Sequence, residues 1–125
     1  MFDQIHHVAI IVSDYQRSRR FYVETLGLPV LRENYRPERG DWKLDLQLGS
    51  SELELFSNPA APARPNYPEA RGLRHLAFRV ADVAAAVAEL EGRGVPCEPI
   101  RTDPYTGGRM TFFHDPDGLP LELHE

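Results

Sequence analysis

An internal repeat constrains this chain more than any other feature of its sequence. His7 and Glu54 form one pair, His75 and Glu122 form a second, and in each pair the glutamate follows its histidine by 47 positions. The second pair lies 68 positions after the first. The flanking sequences repeat too, since HVAIIVSD begins at His7 and HLAFRVAD begins at His75. Such self-similarity predicts two copies of one supersecondary unit.

Length and composition predict one ordinary domain. A chain of 125 residues can bury a core, whereas either half alone would bury little, so we expect the halves to complete one another. The net charge of −5 gives no basic surface for nucleic acid or anionic membrane. The apolar runs are too short to span a membrane and the N-terminus lacks signal-peptide features, so we expect a cytoplasmic protein. Cys97 is the single cysteine, which excludes an internal disulfide and a thiolate metal cluster.

The first half predicts the order β-α-β-β-β. Apolar residues 5–12 predict a buried strand, and Asp14 is a candidate N-cap for the helix that follows. Apolar side chains then recur at helical spacing as far as Gly27, a candidate helix terminator. Three further strands are expected around 30–35, 43–48 and 52–56, with the charged loop RPERGDW before the second of them.

The second half predicts the same order. It begins with a strand over 73–80, and Asp82 would cap a helix that ends at the glycines at 92 and 94. Three strands follow, at 97–101, 109–114 and 119–124, with the turn DPDG before the last. The predicted fold is therefore α+β, with two paired βαβββ modules whose sheets form a concave cup.

A proline-rich linker separates the two predicted modules. Module 1 is expected to span residues 1–57 and module 2 residues 73–125, with the linker at 58–72. Prolines recur in the linker at every third residue, which is the period of a polyproline II helix. We therefore expect an extended connector that permits closure of the site within one chain or across a dimer.

The two His–Glu pairs are the predicted metal ligands. Strand alternation places both pairs on the sheet faces opposite the helices. Two imidazoles and two carboxylates suit a divalent ion such as zinc, nickel, cobalt, manganese or ferrous iron. Four protein ligands leave coordination positions open for water or a bidentate substrate, which is typical of catalytic metals. An ordinary polar strand face does not account for two pairs at one offset.

These stretches resemble the vicinal oxygen chelate superfamily, which includes glyoxalase I, methylmalonyl-CoA epimerase, extradiol dioxygenases and fosfomycin-resistance thiol transferases. The resemblance runs from HHVAI through ELFSN and GLRHLAF to DPDGLPLEL and covers the whole chain. It implies paired βαβββ modules around a divalent metal that substrate oxygens bind directly. The ligand order on His7, Glu54, His75 and Glu122 is similar to that of bacterial glyoxalase I. Among the members of this superfamily, the dioxygenases and fosfomycin enzymes have His, His and Glu as metal ligands instead. The epimerase tends to have glutamine at the position of Glu54.

The resemblance implies a metal-dependent lyase or isomerase of the glyoxalase I type, acting on a small substrate with vicinal oxygens through a metal-stabilised enediolate. It makes Glu122 the expected catalytic base and Glu54 its partner. Asn58 matches a position that this family uses near the thiol cofactor. The family commonly places an arginine for a glutathione carboxylate four residues after the first ligand, where this chain has Ile11. Arg79 occupies the equivalent position in the second half and is expected to bind substrate.

Strand alternation adds six candidates for substrate binding beside the metal ligands. They are Lys43, Asp45, Gln47, Arg109, Thr111 and Phe113. Two other classes of function stay open: an oxygenase or thiol transferase of the same superfamily, and a metal-free protein that binds small molecules. We expect a two-fold homodimer.

Overall fold

The computed structural model describes residues 1–125 and confirms the predicted α+β architecture. The chain forms two compact units, residues 1–62 and residues 63–125. Each unit holds one four-stranded mixed sheet and follows the order βαβββ. The sequence repeat is therefore a repeat of structure. None of the helices has the length and apolar character required to cross a membrane.

The first unit contains four strands and one helical segment. The elements are β1 (His7–Val12), α1 (Tyr15–Arg19), a π-helical segment (Arg20–Thr25), β2 (Val30–Arg36), β3 (Asp41–Leu48) and β4 (Ser51–Ser57). The strand order is β1-β4-β3-β2, with β1 parallel to β4 and the other neighbours antiparallel. The expected loop RPERGDW shrinks to a turn, because its first residue and its last two pair within the sheet.

The helical segment of the first unit differs from the continuous α-helix that we expected. Asp14 caps α1 as predicted, since its Oδ1 accepts a hydrogen bond from the Arg17 amide at 3.0 Å. After α1 the hydrogen bonds widen to the π pattern, and the Leu26 amide donates to the Phe21 carbonyl at 2.9 Å. Tyr22 lies in this segment and is fully buried. Apolar spacing over six residues does not distinguish an α-helix from these wider turns.

The second unit repeats the plan of the first. Its elements are β5 (Leu76–Arg79), α2 (Val83–Gly92), β6 (Arg101–Thr102), β7 (Arg109–His114) and β8 (Pro120–His124). The strand order is β5-β8-β7-β6, with β5 parallel to β8. The strand expected at 97–101 is reduced to the two residues of β6, and the strand expected at 73–80 keeps only its centre.

The connector between the predicted modules contains turns. Residues 59–60 and 66–69 form turns, so 58–72 is not one continuous polyproline II helix. The peptide bond between Tyr67 and Pro68 is cis. The boundary between the compact units falls after Pro62, which places most of this segment in the second unit.

One face of each sheet forms the core of its unit. The buried side chains of the first unit include Ile10, Val12, Leu44, Leu46, Leu53 and Leu55. Those of the second unit include Phe113, Leu121 and Leu123 from the sheet and Val83 and Leu90 from α2. Alternation along the strands then leaves each His–Glu pair on the opposite face of its sheet.

The N-cap of α2 provides a test of local stability. Asp82 Oδ1 accepts a hydrogen bond from the Ala85 amide at 3.0 Å, as the sequence predicted for this position. We expect Asp82→Ala to lower the free energy of unfolding by about 1 kcal/mol in urea denaturation, because that amide loses its acceptor. Asp82→Asn keeps an acceptor oxygen and serves as the control. Equal stability of the alanine variant and the wild type would contradict the capping role.

Candidate functional site

The first His–Glu pair lies on the open face of the first sheet. The parallel register aligns His7 with Glu52 and Ala9 with Glu54, so these side chains share one face. His7 Nε2 lies 3.8 Å from Glu54 Oε2. The imidazole is 44% exposed and the carboxylate 12% exposed, so the nitrogen is accessible while the carboxylate is held within the sheet surface. His6 contacts this pair, with 2.9 Å between the Nδ1 atoms of the two histidines.

A network of charges surrounds Glu54. Lys43 Nζ donates to Glu54 Oε1 at 3.1 Å and to Asp45 Oδ1 at 2.8 Å. Arg32 Nε donates to Asp45 Oδ2 at 2.7 Å, and the same guanidinium binds Glu52. The carboxylates of Asp45, Glu52 and Glu54 approach within 4.8 Å of one another, so the two cations offset their mutual repulsion. Glu54 therefore keeps Oε2 toward His7 while Oε1 is tied to an ammonium.

Sequence reasoning found Lys43 and Asp45 but missed Arg32. Arg32 faces Asp45 because the two residues are antiparallel partners across β2 and β3. The register of this strand pair shifts between Val30 and Arg32. A bulge of this kind changes which face a side chain occupies and leaves no mark in simple alternation.

Asp45 is ionised by its neighbours despite being buried. Its side chain is 2% exposed, and burial alone raises the pKa of the carboxyl. The hydrogen bonds from Lys43 and Arg32 outweigh that effect and hold the pKa of Asp45 below its ordinary value. In return, the hydrogen bond to Asp45 raises the pKa of Lys43. Both groups are therefore charged at neutral pH.

The second His–Glu pair has a different environment. His75 Nε2 lies 2.8 Å from Glu122 Oε2, and Glu122 is 5% exposed. Phe112 is the antiparallel partner of Glu122, and its ring lies edge-on to the His75 ring at 5.1 Å between centroids. The Arg101 guanidinium lies over the Phe112 ring at 5.5 Å. An aromatic ring thus occupies the place that a buried acid, Asp45, takes beside Glu54.

Three residues predicted on the Glu122 face lie elsewhere. Thr111 and Phe113 pair with Leu123 and Leu121, and both are buried in the core of the second unit. Thr111 Oγ1 donates to the Glu98 carbonyl at 2.7 Å. The predicted alternation was wrong by one residue, because Glu122 lies ten positions after its partner Phe112, whereas Glu54 lies nine positions after its partner Asp45. A shift of one residue moves every side chain of a strand to the other face.

Arg109 also leaves the predicted face. Its guanidinium binds Glu125 Oε1 at 2.7 Å and approaches Asp82 Oδ1 at 3.4 Å. The hydrogen bond from Arg109 is the main cause that lowers the pKa of Glu125 to about 2. Arg109 therefore closes an ion-pair network at the N-terminus of α2. The residues of β7 that share the face of Glu122 are Met110, Phe112 and His114.

The remaining predicted residues have simple positions. Gln47 is exposed on the face of Glu54, and its amide donates to the Gly49 carbonyl at 3.1 Å. Asn58 Oδ1 accepts from the Ala60 amide at 3.1 Å and so organises the turn after β4. Arg79 is exposed at the end of β5 on the face of Glu122.

A cavity of about 240 Å³ opens beside the second pair, entirely within the second unit. His75, Phe112 and His114 line it, together with residues of the segment from Arg64 to Arg74. The sequence analysis did not place His114 among the candidate site residues, and it read the segment around Arg64 as a linker. The offset of 67 positions that relates Gly27 to Gly94 was the available signal, because it maps Gln47 onto His114.

Comparison with known proteins identifies a family. The sequence model of the Glyoxalase/Bleomycin resistance protein/Dioxygenase superfamily matches residues 4–123. The chain is 59% identical over 126 residues to the protein YwkD of Bacillus subtilis strain 168, covering 100% of this chain and 98% of that protein. It also resembles the crystal structure of the glyoxalase family protein from Enterococcus faecalis, with 61% identity and a TM-score of 0.94 over 99% of this chain and 98% of that one.

Two more distant relatives carry names of enzymes. The chain is 34% identical over 142 residues to the 2-epi-5-epi-valiolone epimerase of an Actinomyces species, covering 95% of this chain and 77% of that protein. It is 33% identical over 127 residues to the probable chloroplastic lactoylglutathione lyase of Arabidopsis thaliana, covering 95% of this chain and 35% of that protein.

The corrected register of β7 predicts losses of stability of different size for two adjacent phenylalanines. Phe113 is 1% exposed in the core, so we expect Phe113→Ala to lower the free energy of unfolding by roughly 3–5 kcal/mol. Phe112→Ala removes a half-buried ring on the site face and should cost clearly less. Urea denaturation of both variants measures the difference. A larger loss for Phe112→Ala would restore the face assignment made from the sequence.

The buried carboxylate of Asp45 predicts a pH-dependent stability. Because its pKa is lowered on folding, its contribution is complete above about pH 4, the ordinary value for aspartate, and is lost as the pH falls through the lowered value. We expect Asp45→Asn to lose roughly 1–3 kcal/mol at neutral pH. The difference from the wild type should shrink in urea titrations toward pH 2. A difference that stays constant with pH would contradict the ionised state of Asp45.

Proposed function

Because the chain belongs to the Glyoxalase/Bleomycin resistance protein/Dioxygenase superfamily, we propose that it is a divalent-metal-dependent lyase or isomerase of the glyoxalase I type. Its substrate would be a small molecule with two vicinal oxygens. One observation carries the proposal: each unit holds a close His–Glu pair, at 3.8 Å for His7 and Glu54 and at 2.8 Å for His75 and Glu122. A lyase and an epimerase among the relatives are consistent with chemistry at a carbon next to oxygen.

The chemistry of the donor set fits a divalent ion. His7, Glu54, His75 and Glu122 would hold it, since two imidazole nitrogens and two carboxylate oxygens suit zinc, nickel, cobalt, manganese and ferrous iron alike. When bound, such an ion supplies a Lewis acid that polarises adjacent substrate oxygens. Lys43 is compatible with this role, because it occupies only Oε1 of Glu54.

We assign the proton transfer to Glu122. The side chain at hydrogen-bond distance from it is the His75 imidazole, and its partners on the neighbouring strands are Phe112 and Ala77, so no ammonium or guanidinium group ties it in place. It would accept the proton from the substrate carbon and return it to the adjacent carbon, leaving an enediolate between the two steps. Glu122 is 5% exposed, so its carboxylate has little contact with solvent.

Glu54 is the proposed partner of Glu122. The hydrogen bond from Lys43 orients its carboxylate, and Asp45 with Arg32 orients Lys43 in turn. Lys43, Asp45 and Gln47 stay proposed specificity residues on this face, and Arg79 and Asn58 stay proposed substrate contacts. The proposal also includes a cytoplasmic homodimer.

Metal content is the experiment that tests the proposal. We expect untagged protein, dialysed without chelator, to hold about one divalent ion per chain by mass spectrometry of its metals, because four ligands leave one ion tightly bound. Glu54→Gln should lose or weaken that ion. The wild type should then isomerise a hemithioacetal of a 2-oxoaldehyde, and oxygen uptake with a catechol would point instead to an oxygenase.

Glu52→Gln is the matched control. Glu52 lies on the same strand and face as Glu54 and belongs to the same group of three acids. Normal metal content in this variant would assign the ion to the His–Glu pairs rather than to that acidic group. A wild-type protein that holds no metal, and takes up none from nickel, zinc or manganese, would overturn the proposal in favour of a metal-free binding protein.

A further inference from the structure

The cavity of the second unit carries more positive charge than its carboxylates offset. Three arginines and two glutamates line it, in a chain whose net charge is −5. Arg74 pairs with Glu69 at 3.0 Å, and Arg101 pairs with Glu98 at 3.1 Å. Arg64 is left as the uncompensated charge, because its acceptors are all neutral.

The contacts of Arg64 leave part of its guanidinium free. Nε donates to Asn66 Oδ1 at 2.7 Å, and Nη2 donates to the carbonyls of Leu73 and Arg74 at 3.3 and 3.4 Å. Asn66 is fixed in turn, since its Nδ2 donates to the Gly118 carbonyl at 2.9 Å. Arg64 is half-buried, and these hydrogen bonds position its guanidinium while Nη1 keeps its donors. A half-buried charge without a counter-ion is costly, and an anion would remove that cost.

Arg101 adds a second cation at the same cavity. Its guanidinium lies over the Phe112 ring, which contacts His75 of the second His–Glu pair. The planar fork of a guanidinium matches the oxygens of a carboxylate or phosphate. Its pairing with Glu98 is half-exposed on both sides, so a ligand oxyanion can compete with it.

We propose that this cavity binds an oxyanion group of the substrate, a carboxylate or a phosphate, with Arg64 and Arg101 as its recognition residues. The inference rests on the proposed function, in that the anion is the part of the substrate next to its vicinal oxygens. The volume of about 240 Å³ lies just below the ~300–1,000 Å³ typical of drug-sized ligands, so the substrate is a small anionic oxo or hydroxy compound.

Binding of simple anions tests this assignment. The probes are inorganic phosphate and acetate, titrated at low ionic strength into the purified protein of known metal content, with chloride as the blank. We expect saturable shifts of the arginine Nε–H resonances in nuclear magnetic resonance spectra, and weaker binding as salt is added. A response to phosphate alone identifies a phosphate group, and a response to acetate identifies a carboxylate.

Variants locate the binding. Arg64→Gln and Arg101→Gln should each lower the affinity for the anion by roughly tenfold or more, because each substitution removes a charge-assisted hydrogen bond. Arg64→Lys should retain part of the affinity. If the Arg64 substitution disrupts the connector, the Arg101 substitution still tests the site, because Arg101 lies in β6 outside the connector. Arg71→Gln is the matched control, since Arg71 is exposed in the same connector and does not line the cavity.

The outcomes separate this inference from the proposed function. The inference is overturned if the wild type shows no saturable anion binding, or if both glutamine variants bind the anion as tightly as the wild type does. Either result counts even when metal content and turnover are normal. Anion binding that depends on both arginines supports it. The same binding in a protein that takes up no metal would support the anion site and overturn the proposed function.

Discussion

The parallel pairing of the first and last strands of each unit is the interaction on which the site depends. A parallel pair needs a long crossover, and here a helix and two further strands supply it between β1 and β4 and between β5 and β8. The registers align Ala9 with Glu54 and Ala77 with Glu122. Each histidine lies two residues before its alanine, so it projects from the same face as the glutamate. Backbone hydrogen bonding therefore brings each histidine close to a glutamate that lies 47 positions away in sequence.

The architecture could be predicted from the sequence because the same pattern of apolar and polar residues occurs in both halves of the chain. Two copies of an apolar strand, a capped helix and three alternating strands each need one buried face, and the repeat of His7 and Glu54 in His75 and Glu122 fixed which face that is. The order and approximate bounds of seven of the eight strands follow from alternation and turn residues alone. The caps at Asp14 and Asp82 follow from residue type and position.

The parts that could not be predicted depend on single-residue shifts. Phe112 and Phe113 are both aromatic, so alternation in β7 fits either face, and only the one-residue difference between the repeat offsets of 67 and 68 positions distinguishes the two assignments. Arg32 reaches Asp45 through an irregular register in β2, which its composition does not reveal. The turns around Arg64 depend on hydrogen bonds to carbonyl oxygens, which any sequence offers.

Repetition fixed the backbone of the two pairs and left their surroundings free to diverge. Lys43 lies beside Glu54 and donates a hydrogen bond to its Oε1. The same ammonium group also donates to the buried carboxylate of Asp45. Beside Glu122 lies the Phe112 ring, which lines the cavity together with His75. A carboxylate held by an ammonium is suited to stay in place as a ligand, whereas one with a single imidazole partner has fewer bonds to break before it moves toward a substrate proton. In the proposed function, this asymmetry of the neighbours, rather than the symmetry of the pairs, is what would make Glu122 rather than Glu54 the base.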